Sequence, residues 1–148
     1  SIMTGKYPAR LHITDFIPGK LRKGKKLLIP DWTKFLPQDE VTIAEMLKSY
    51  GYKTGHFGKW HLNKDKKYKK GRMGDPMSQG FDEVLTTHKP KAGPESKYPN
   101  DRHHVKEITE EAIKFIESNK TKPFLSSTLT RAKAVFGSWS KNDFFTSR

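Results

Sequence analysis

The stretch that most constrains the fold runs from residue 42 to residue 58, TIAEMLKSYGYKTGHFG. Thr42 and Glu45 form the T-x-x-E pattern of a capping box, which predicts the start of a helix. Gly51 predicts its end, and the short aromatic stretch 52–58 predicts a strand. The predicted buried face of the helix comprises Ile43, Met46, Leu47 and Tyr50. A helix that is followed at once by a strand is half of an α/β unit.

The rest of the chain predicts a second helix and two more short strands. Asp101 can cap a helix over residues 102–119, and KPFLSSTL (122–129) then predicts a strand. GFDEVLTT (80–87) is typical of a short strand or turn. The apolar stripe of the second helix comprises Val105, Ile108, Ala112, Phe115 and Ile116. This order of elements predicts an α/β fold with a mostly parallel sheet flanked by helices.

Composition sets limits on this fold. The chain has 148 residues, one ordinary domain or a piece of a larger one, and only 33% of them are hydrophobic, so we expect a thin core. It contains no cysteine, which excludes disulfides and thiolate chemistry within these residues. No apolar run is long enough for a membrane span. The start, SIMTGKYPAR, has neither an initiator methionine nor a signal peptide, and we expect a chain clipped there, opening on the last turn of a helix before an irregular segment.

The net charge is +13, and the excess lies in two lysine-rich runs, residues 20–26 and 64–70. Such runs are usually solvated loops. They also suit a non-enzymatic basic domain that attracts polyanions, such as nucleic acid, anionic lipid or a sulfated polymer. Nucleic acid is the weaker candidate partner, because neither run has the pattern of a single-strand binder or the context of a DNA-reading helix.

The segment GHFGKWHLN places a lysine, a tryptophan and a histidine where the first strand is predicted to end. Functional groups of open α/β sheets gather at the carboxyl ends of strands. Alternation predicts Lys59 and His61 on one side and Trp60 on the other. A cation and an imidazole that face one pocket suit an anionic substrate. From chemistry alone, a solvated lysine and a histidine bound to a carbonyl remain the simpler interpretation.

The other histidines have weaker claims to function. His56 lies inside the predicted strand and is interpreted as structural. His103 and His104 open the second helix and are predicted to be exposed, and neighbouring helical positions do not face one metal ion. Carboxylates do not cluster in the sequence, so we expect no metal site within this chain.

Three separated pieces of the chain resemble the sulfatase family, in particular arylsulfatase-like members of the alkaline-phosphatase-like superfamily. Residues 1–19 look like the segment after the family's first signature. Residues 42–63, with the G-Y-x-T turn and the G-K-W-H-L core, are similar to its second signature, and QGFDEVLTTHKP (79–90) resembles the G-F-D segment that follows. With the helix and strand downstream, the resemblance covers residues 1–129.

The resemblance implies a partial N-terminal catalytic domain over residues 1–129 and a divergent, unassigned tail over 130–148. It implies hydrolysis of sulfate esters by a formylglycine nucleophile, made from a Cys or a Ser in a C/S-x-P-x-R signature, beside a calcium ion. By position, Lys59 looks like a sulfate-binding lysine and His61 like the histidine next to the formylglycine. Thr87 and His88 fall near a segment that lines the pocket in some members.

The same resemblance places the formylglycine upstream of Ser1 and the calcium ligands outside this sequence, so we expect the isolated chain to be inactive. It implies a sulfated small molecule or glycan as substrate and a periplasmic, secreted or lysosomal-type compartment. Oligomeric state is not set by any feature of the sequence. A phosphodiesterase or phosphonate hydrolase of the same superfamily remains an alternative, as does the basic polyanion-binding domain.

Overall fold

The computed structural model describes residues 1–17, 24, 30–64, 69–86, 101 and 104–129. Within these ranges the α-helices are α1 (Ile43–Ser49) and α2 (Val105–Asn119), and the strands are β1 (Lys53–Gly58), β2 (Glu83–Thr86) and β3 (Phe124–Leu129). Short 3-10 helices occur at Pro8–Leu11 and Pro76–Gln79. None of the helices that the structure describes is long and apolar enough to cross a bilayer.

The strands form a parallel sheet in the order β2-β1-β3. His56 is the register partner of Val84 on one side and of Ser127 on the other. Because all the paired strands run in the same direction, their carboxyl ends meet at one edge of the sheet. The predicted α/β class with a parallel sheet and flanking helices is therefore confirmed.

Helix α2 covers one face of this sheet. The helix begins at Val105, three residues later than predicted, but the carboxylate of Asp101 still accepts hydrogen bonds from its first backbone N–H groups, those of Val105, Lys106 and Glu107, at 2.7, 2.8 and 3.2 Å. The residues buried against β1 are Ile108, Ala112 and Phe115, which cluster with Phe57. The predicted apolar stripe is wider than the buried one, since Val105 and Ile116 remain 38% and 40% exposed.

Helix α1 starts with the predicted capping box. Glu45 N donates to Thr42 Oγ1 (3.1 Å), and Thr42 N donates to Glu45 Oε2 (2.8 Å). The Thr42 hydroxyl also donates to the carbonyl of Gln79 at 2.8 Å. The start of the helix is thus fixed both locally and against the loop before β2.

The predicted buried face of α1 is wrong for two of its residues. Met46 and Tyr50 are 47% and 76% exposed, whereas Ala44 is completely buried. Gly80 lies against the backbone of Ala44 and Glu45, so closely that a Cβ at Gly80 would collide with it. Because Gly80 approaches the helix so closely, the side that faces it is the one that carries the small residue Ala44.

The chain before α1 packs beside it. Residues 1–5 form one helical turn, closed by the hydrogen bond from Gly5 N to Ser1 O (2.8 Å), and Met3 O accepts from Ile43 N at 2.7 Å. The segment that follows is more regular than predicted, because it contains the 3-10 helix Pro8–Leu11. Proline at the first position suits such a turn, since its N–H would be unpaired there anyway.

Candidate active site

A cavity of about 620 Å³ lies where β1 and β3 end. Its walls come from residues 1–4, from the segment 59–62 directly after β1, and from Ser127 and Leu129 on β3. Lys59 and His61, the residues singled out by the sequence, both line it. Segments that are far apart in the chain therefore meet around the cation and the imidazole.

Gly58 turns the chain into this cavity. Its φ is 109°, and a Cβ at this position would collide with the carbonyl oxygen of Leu129. The N–H of Lys59 donates to that same carbonyl at 3.0 Å. Only glycine accepts both the positive φ and the contact, so Gly58 sets the direction in which Lys59 leaves the strand.

The backbone of the next residues is held from several sides. The indole Nε1 of Trp60 donates to Gly74 O at 2.9 Å, and Leu62 O accepts from Leu36 N at 2.8 Å. The amide of Asn63 donates to Met73 O at 3.3 Å. Such anchoring limits the positions that Lys59 and His61 can take, which is what a binding site needs.

Both candidate side chains are half-buried. The structure brings Lys59 and His61 to one cavity, but it does not place Trp60 away from them, because Trp60 lines the cavity too while being only 6% exposed. The prediction from strand alternation is wrong for Trp60. Strand geometry ends at Gly58, so the two-residue period does not apply to residues 59–61.

His56 is buried completely, and its ring packs edge-to-face on Trp60 (centroids 5.1 Å apart) and tilted on Phe81 (5.3 Å). Burial lowers the pKa of His56 to about 4, and the carbonyl of Gly58 offsets only part of that shift. This packing agrees with a structural histidine. The structure adds that His56 and Ser127 also line the cavity, which the sequence analysis missed. The sequence did contain a signal for His56, because it lies only two residues before Gly58, where the strand was predicted to end.

Several predicted features lie elsewhere. Thr87, His88 and His103 are outside the residues that the structure describes, as are most of the two lysine runs. His104 was predicted to be exposed, but its side chain is only 13% exposed and its Nδ1 lies 2.8 Å from Glu107 Oε2. The cause is its left-handed backbone, with φ at 55°, directly before α2.

The described part of the chain offers no cluster of three or more residues that suits a metal ion. Its buried carboxylate, Asp75, is already occupied: it accepts from Arg72 Nε (2.9 Å), Lys69 N (2.9 Å) and the Asn63 amide (3.2 Å). Calcium prefers six or more oxygen ligands, several of them carboxylates. The donors present in these ranges therefore do not fit the calcium ion that the family resemblance implies.

The fold and the site define an α/β protein with a cavity at the carboxyl ends of its strands, lined by a lysine and a histidine. The chain belongs to the sulfatase family, whose family model, described as "Sulfatase", matches residues 1–143. This confirms the resemblance seen in the three sequence pieces. The matched range continues past residue 129 into a part of the chain that lies outside the described residues.

Individual relatives agree with this membership. An arylsulfatase of Hemicentrotus pulcherrimus is 38% identical over 85 residues, which cover 57% of this chain and 14% of that protein. Human steryl-sulfatase is 36% identical over 81 residues, covering 55% and 13%. Human arylsulfatase A is 40% identical over 62 residues, covering 42% and 10%. The chain thus spans a small part of the length of the curated relatives it matches.

Proposed function

We propose that this chain carries the anion-binding part of the active site of a sulfuric-ester hydrolase. The observation that carries the proposal is the cavity itself, where residues 1–4 lie with Lys59 and His61. Residues 1–4 belong to the piece that resembles the segment after the first sulfatase signature. Lys59 and His61 belong to the piece that resembles the second. Family membership also favours a hydrolase over a non-enzymatic polyanion-binding domain.

Lys59 and His61 have complementary roles in this proposal. The ammonium group of Lys59 attracts the sulfate oxygens and donates hydrogen bonds to them. His61 donates to the same anion or transfers a proton near neutral pH, as an imidazole can. Because both side chains are half-buried, their charge acts at lower dielectric than on an open surface. Thr87 and His88 remain proposed contributors to substrate binding.

The formylglycine nucleophile and the calcium ion belong, in this proposal, to sequence outside the chain. The sequence contains no C/S-x-P-x-R stretch whose Cys or Ser could be converted, and the described carboxylates do not fit calcium. The isolated chain should then bind a sulfated small molecule or glycan without hydrolysing it. A periplasmic, secreted or lysosomal-type compartment is proposed from the family alone.

A sulfate titration of the 148-residue chain tests the binding role. The ionic strength is kept constant with sodium chloride, and ring nitrogen signals of the labelled histidines report on binding at His61. Lys59→Met should weaken sulfate binding by about 10-fold or more, the loss expected for a charge-assisted hydrogen bond in a partly closed site.

Lys53→Met is the matched control, because it removes the same charge from the exposed start of β1, away from the cavity. It should change the sulfate affinity by less than about 2-fold. Circular dichroism of both variants must match that of the parent chain. Equal losses of sulfate affinity in the two variants would show nonspecific attraction by net charge and would contradict the proposed site.

A further inference from the structure

A histidine and a serine on neighbouring strands add uncharged polar groups to the cavity wall. His56 on β1 and Ser127 on β3 are register partners, and both line the cavity. Nδ1 of His56 lies 3.4 Å from Oγ of Ser127, at the long end of hydrogen-bond distances. The roles proposed above for Lys59 and His61 use neither of these groups.

Only one of the two ring nitrogens of His56 has a hydrogen-bond partner in the part of the chain that the structure describes. The residue is 0% exposed, and Nε2 has no partner at hydrogen-bond geometry among the residues described by the structure; the Gly58 carbonyl that raises the pKa of the ring lies outside that geometry. The contacts with Trp60 and Phe81 fix the ring in this place. A buried polar atom without a partner is unfavourable, and native proteins seldom keep one unless water, an ion or a ligand satisfies it.

The chemistry of the pair is that of a neutral donor and acceptor. Burial keeps the imidazole of His56 uncharged at neutral pH. One ring nitrogen therefore carries a proton and donates a hydrogen bond, whereas the other accepts a hydrogen bond. If the hydroxyl of Ser127 donates to Nδ1, then Nε2 donates; if the hydroxyl accepts, then Nε2 accepts. In both cases the pair offers a directional hydrogen bond without a charge.

The neighbouring walls favour an organic group over a second anion. Leu36, Leu62 and Leu129 line the same cavity, and an anion held beside them and an uncharged imidazole would lose its hydration without compensation. An ester, ether or hydroxyl oxygen on an otherwise apolar group pays a much smaller desolvation cost. Such a group also gains from contact with the leucines.

We propose that His56 and Ser127 form a subsite that hydrogen-bonds an oxygen on the organic part of a sulfate ester, while Lys59 and His61 hold the sulfate. This inference rests on the proposed function, because it requires the anion at the cationic pair. The subsite binds the uncharged, organic part of the substrate. It therefore distinguishes an organic sulfate from inorganic sulfate.

The experiment compares inorganic sulfate with 4-hydroxyphenyl sulfate, whose ring carries a hydroxyl oxygen, on the 148-residue chain, with ring nitrogen spectra assigned by single histidine substitutions. Sulfate should shift the signals of His61 alone. 4-Hydroxyphenyl sulfate should shift those of His61 and His56 together. Ser127→Ala should weaken 4-hydroxyphenyl sulfate binding by about 3- to 10-fold, the effect of one neutral hydrogen bond, and leave the affinity for inorganic sulfate unchanged.

Ser126→Ala is the control, since Ser126 is on the same strand, lies 3.5 Å from Thr128 and is not among the residues that line the cavity. It should leave both affinities unchanged. If both ligands shift the signals of His61 but 4-hydroxyphenyl sulfate leaves those of His56 unchanged and Ser127→Ala has no effect, the proposed subsite is wrong and the sulfate site stands. If neither ligand moves His61, the proposed function fails and the subsite fails with it.

Discussion

The hydroxyl of Thr54 and the main chain of Asp82 join two signature pieces of this chain. Asp82 N lies 2.9 Å from the Thr54 carbonyl and 3.0 Å from its Oγ1, and that hydroxyl donates to Gly80 O at 2.7 Å. Lys48 pairs with the carboxylate of Asp82 at 2.6 Å. This joint precedes the register pair Gly55 and Glu83. It therefore aligns β2 with β1 upstream of the cavity.

Thr54→Val tests this joint, because valine keeps the shape of threonine and removes the hydroxyl. Gly80 O and Asp82 N would each lose a partner at a completely buried position. We expect the free energy of unfolding to fall by about 1–3 kcal/mol. Urea denaturation followed by circular dichroism measures the change.

Thr128→Val is the matched control on the exposed end of β3. Its hydroxyl lies 3.5 Å from Ser126 Oγ in an exposed position, so we expect a change within about 0.5 kcal/mol. Equal effects of the two substitutions would show that the Thr54 hydroxyl is not what aligns β1 and β2.

Gly58→Ala should both destabilise the chain and weaken sulfate binding. The added Cβ would meet the Leu129 carbonyl, and the φ of 109° is strained for alanine, so we expect a loss of about 2 kcal/mol or more. Any relaxation shifts Lys59, whose N–H is bound to that carbonyl. Thermal melts and the sulfate titration measure the two effects.

Gly71→Ala separates positive φ from the close contact. Gly71 has φ at 76°, but nothing lies within 4 Å of a Cβ placed there. We expect a cost of about 1 kcal/mol from the backbone conformation, with sulfate affinity unchanged. A loss at Gly58 no larger than that at Gly71 would contradict the role assigned to the Leu129 contact.

Local signals in the sequence were sufficient for the elements themselves. Thr42 and Glu45 predicted the start of α1, and Asp101 was correctly predicted to cap α2, although that helix begins at Val105 rather than at residue 102; such caps are satisfied by atoms only three to six residues away. The carboxyl end of β1 was predicted from the glycine and aromatic pattern. That placement was enough to bring Lys59 and His61 to one cavity.

Contacts between distant segments decided the features that the sequence did not predict. The buried side of α1 depends on how closely Gly80 approaches Ala44, 36 residues earlier in the chain. The position of Trp60 depends on the turn at Gly58 and on the hydrogen bond that its indole donates to the carbonyl of Gly74. Ser127 became a candidate only once β3 was paired with β1, in register with His56.

Acid should destabilise the chain in the pH range where His56 titrates. The unfolded histidine has a pKa near 6.5, whereas burial holds the folded pKa at about 4. Between these values the unfolded state binds a proton that the folded state does not, so stability falls as the pH decreases from 6.5 to 4. The loss amounts to about 3 kcal/mol and levels off below the folded pKa.

His56→Gln should remove most of this pH dependence, although the variant starts from a lower stability. His12→Gln, at an exposed position, should keep it. Asp82 does not interfere with this measurement. Burial raises its pKa, but the hydrogen bonds from Lys48 and Thr54 outweigh burial and hold the pKa below 3.8. The stability that Asp82 contributes is therefore lost only below pH 3.8. Denaturation curves from pH 4 to pH 8 give the slopes, and identical slopes in parent and His56→Gln would contradict the assignment.

The isolated chain should not hydrolyse 4-nitrophenyl sulfate, with or without added calcium. Lys59 and His61 can stabilise an anion, but charge stabilisation alone replaces neither a nucleophile nor a metal ion. The chain has no C/S-x-P-x-R stretch, and the buried carboxylate of Asp75 is already bound by Arg72 and Asn63. Release of 4-nitrophenol is followed by absorbance, with a complete arylsulfatase as positive control. Calcium-dependent turnover by the purified chain, lost in Lys59→Met, would overturn the view that the reacting groups belong to other sequence.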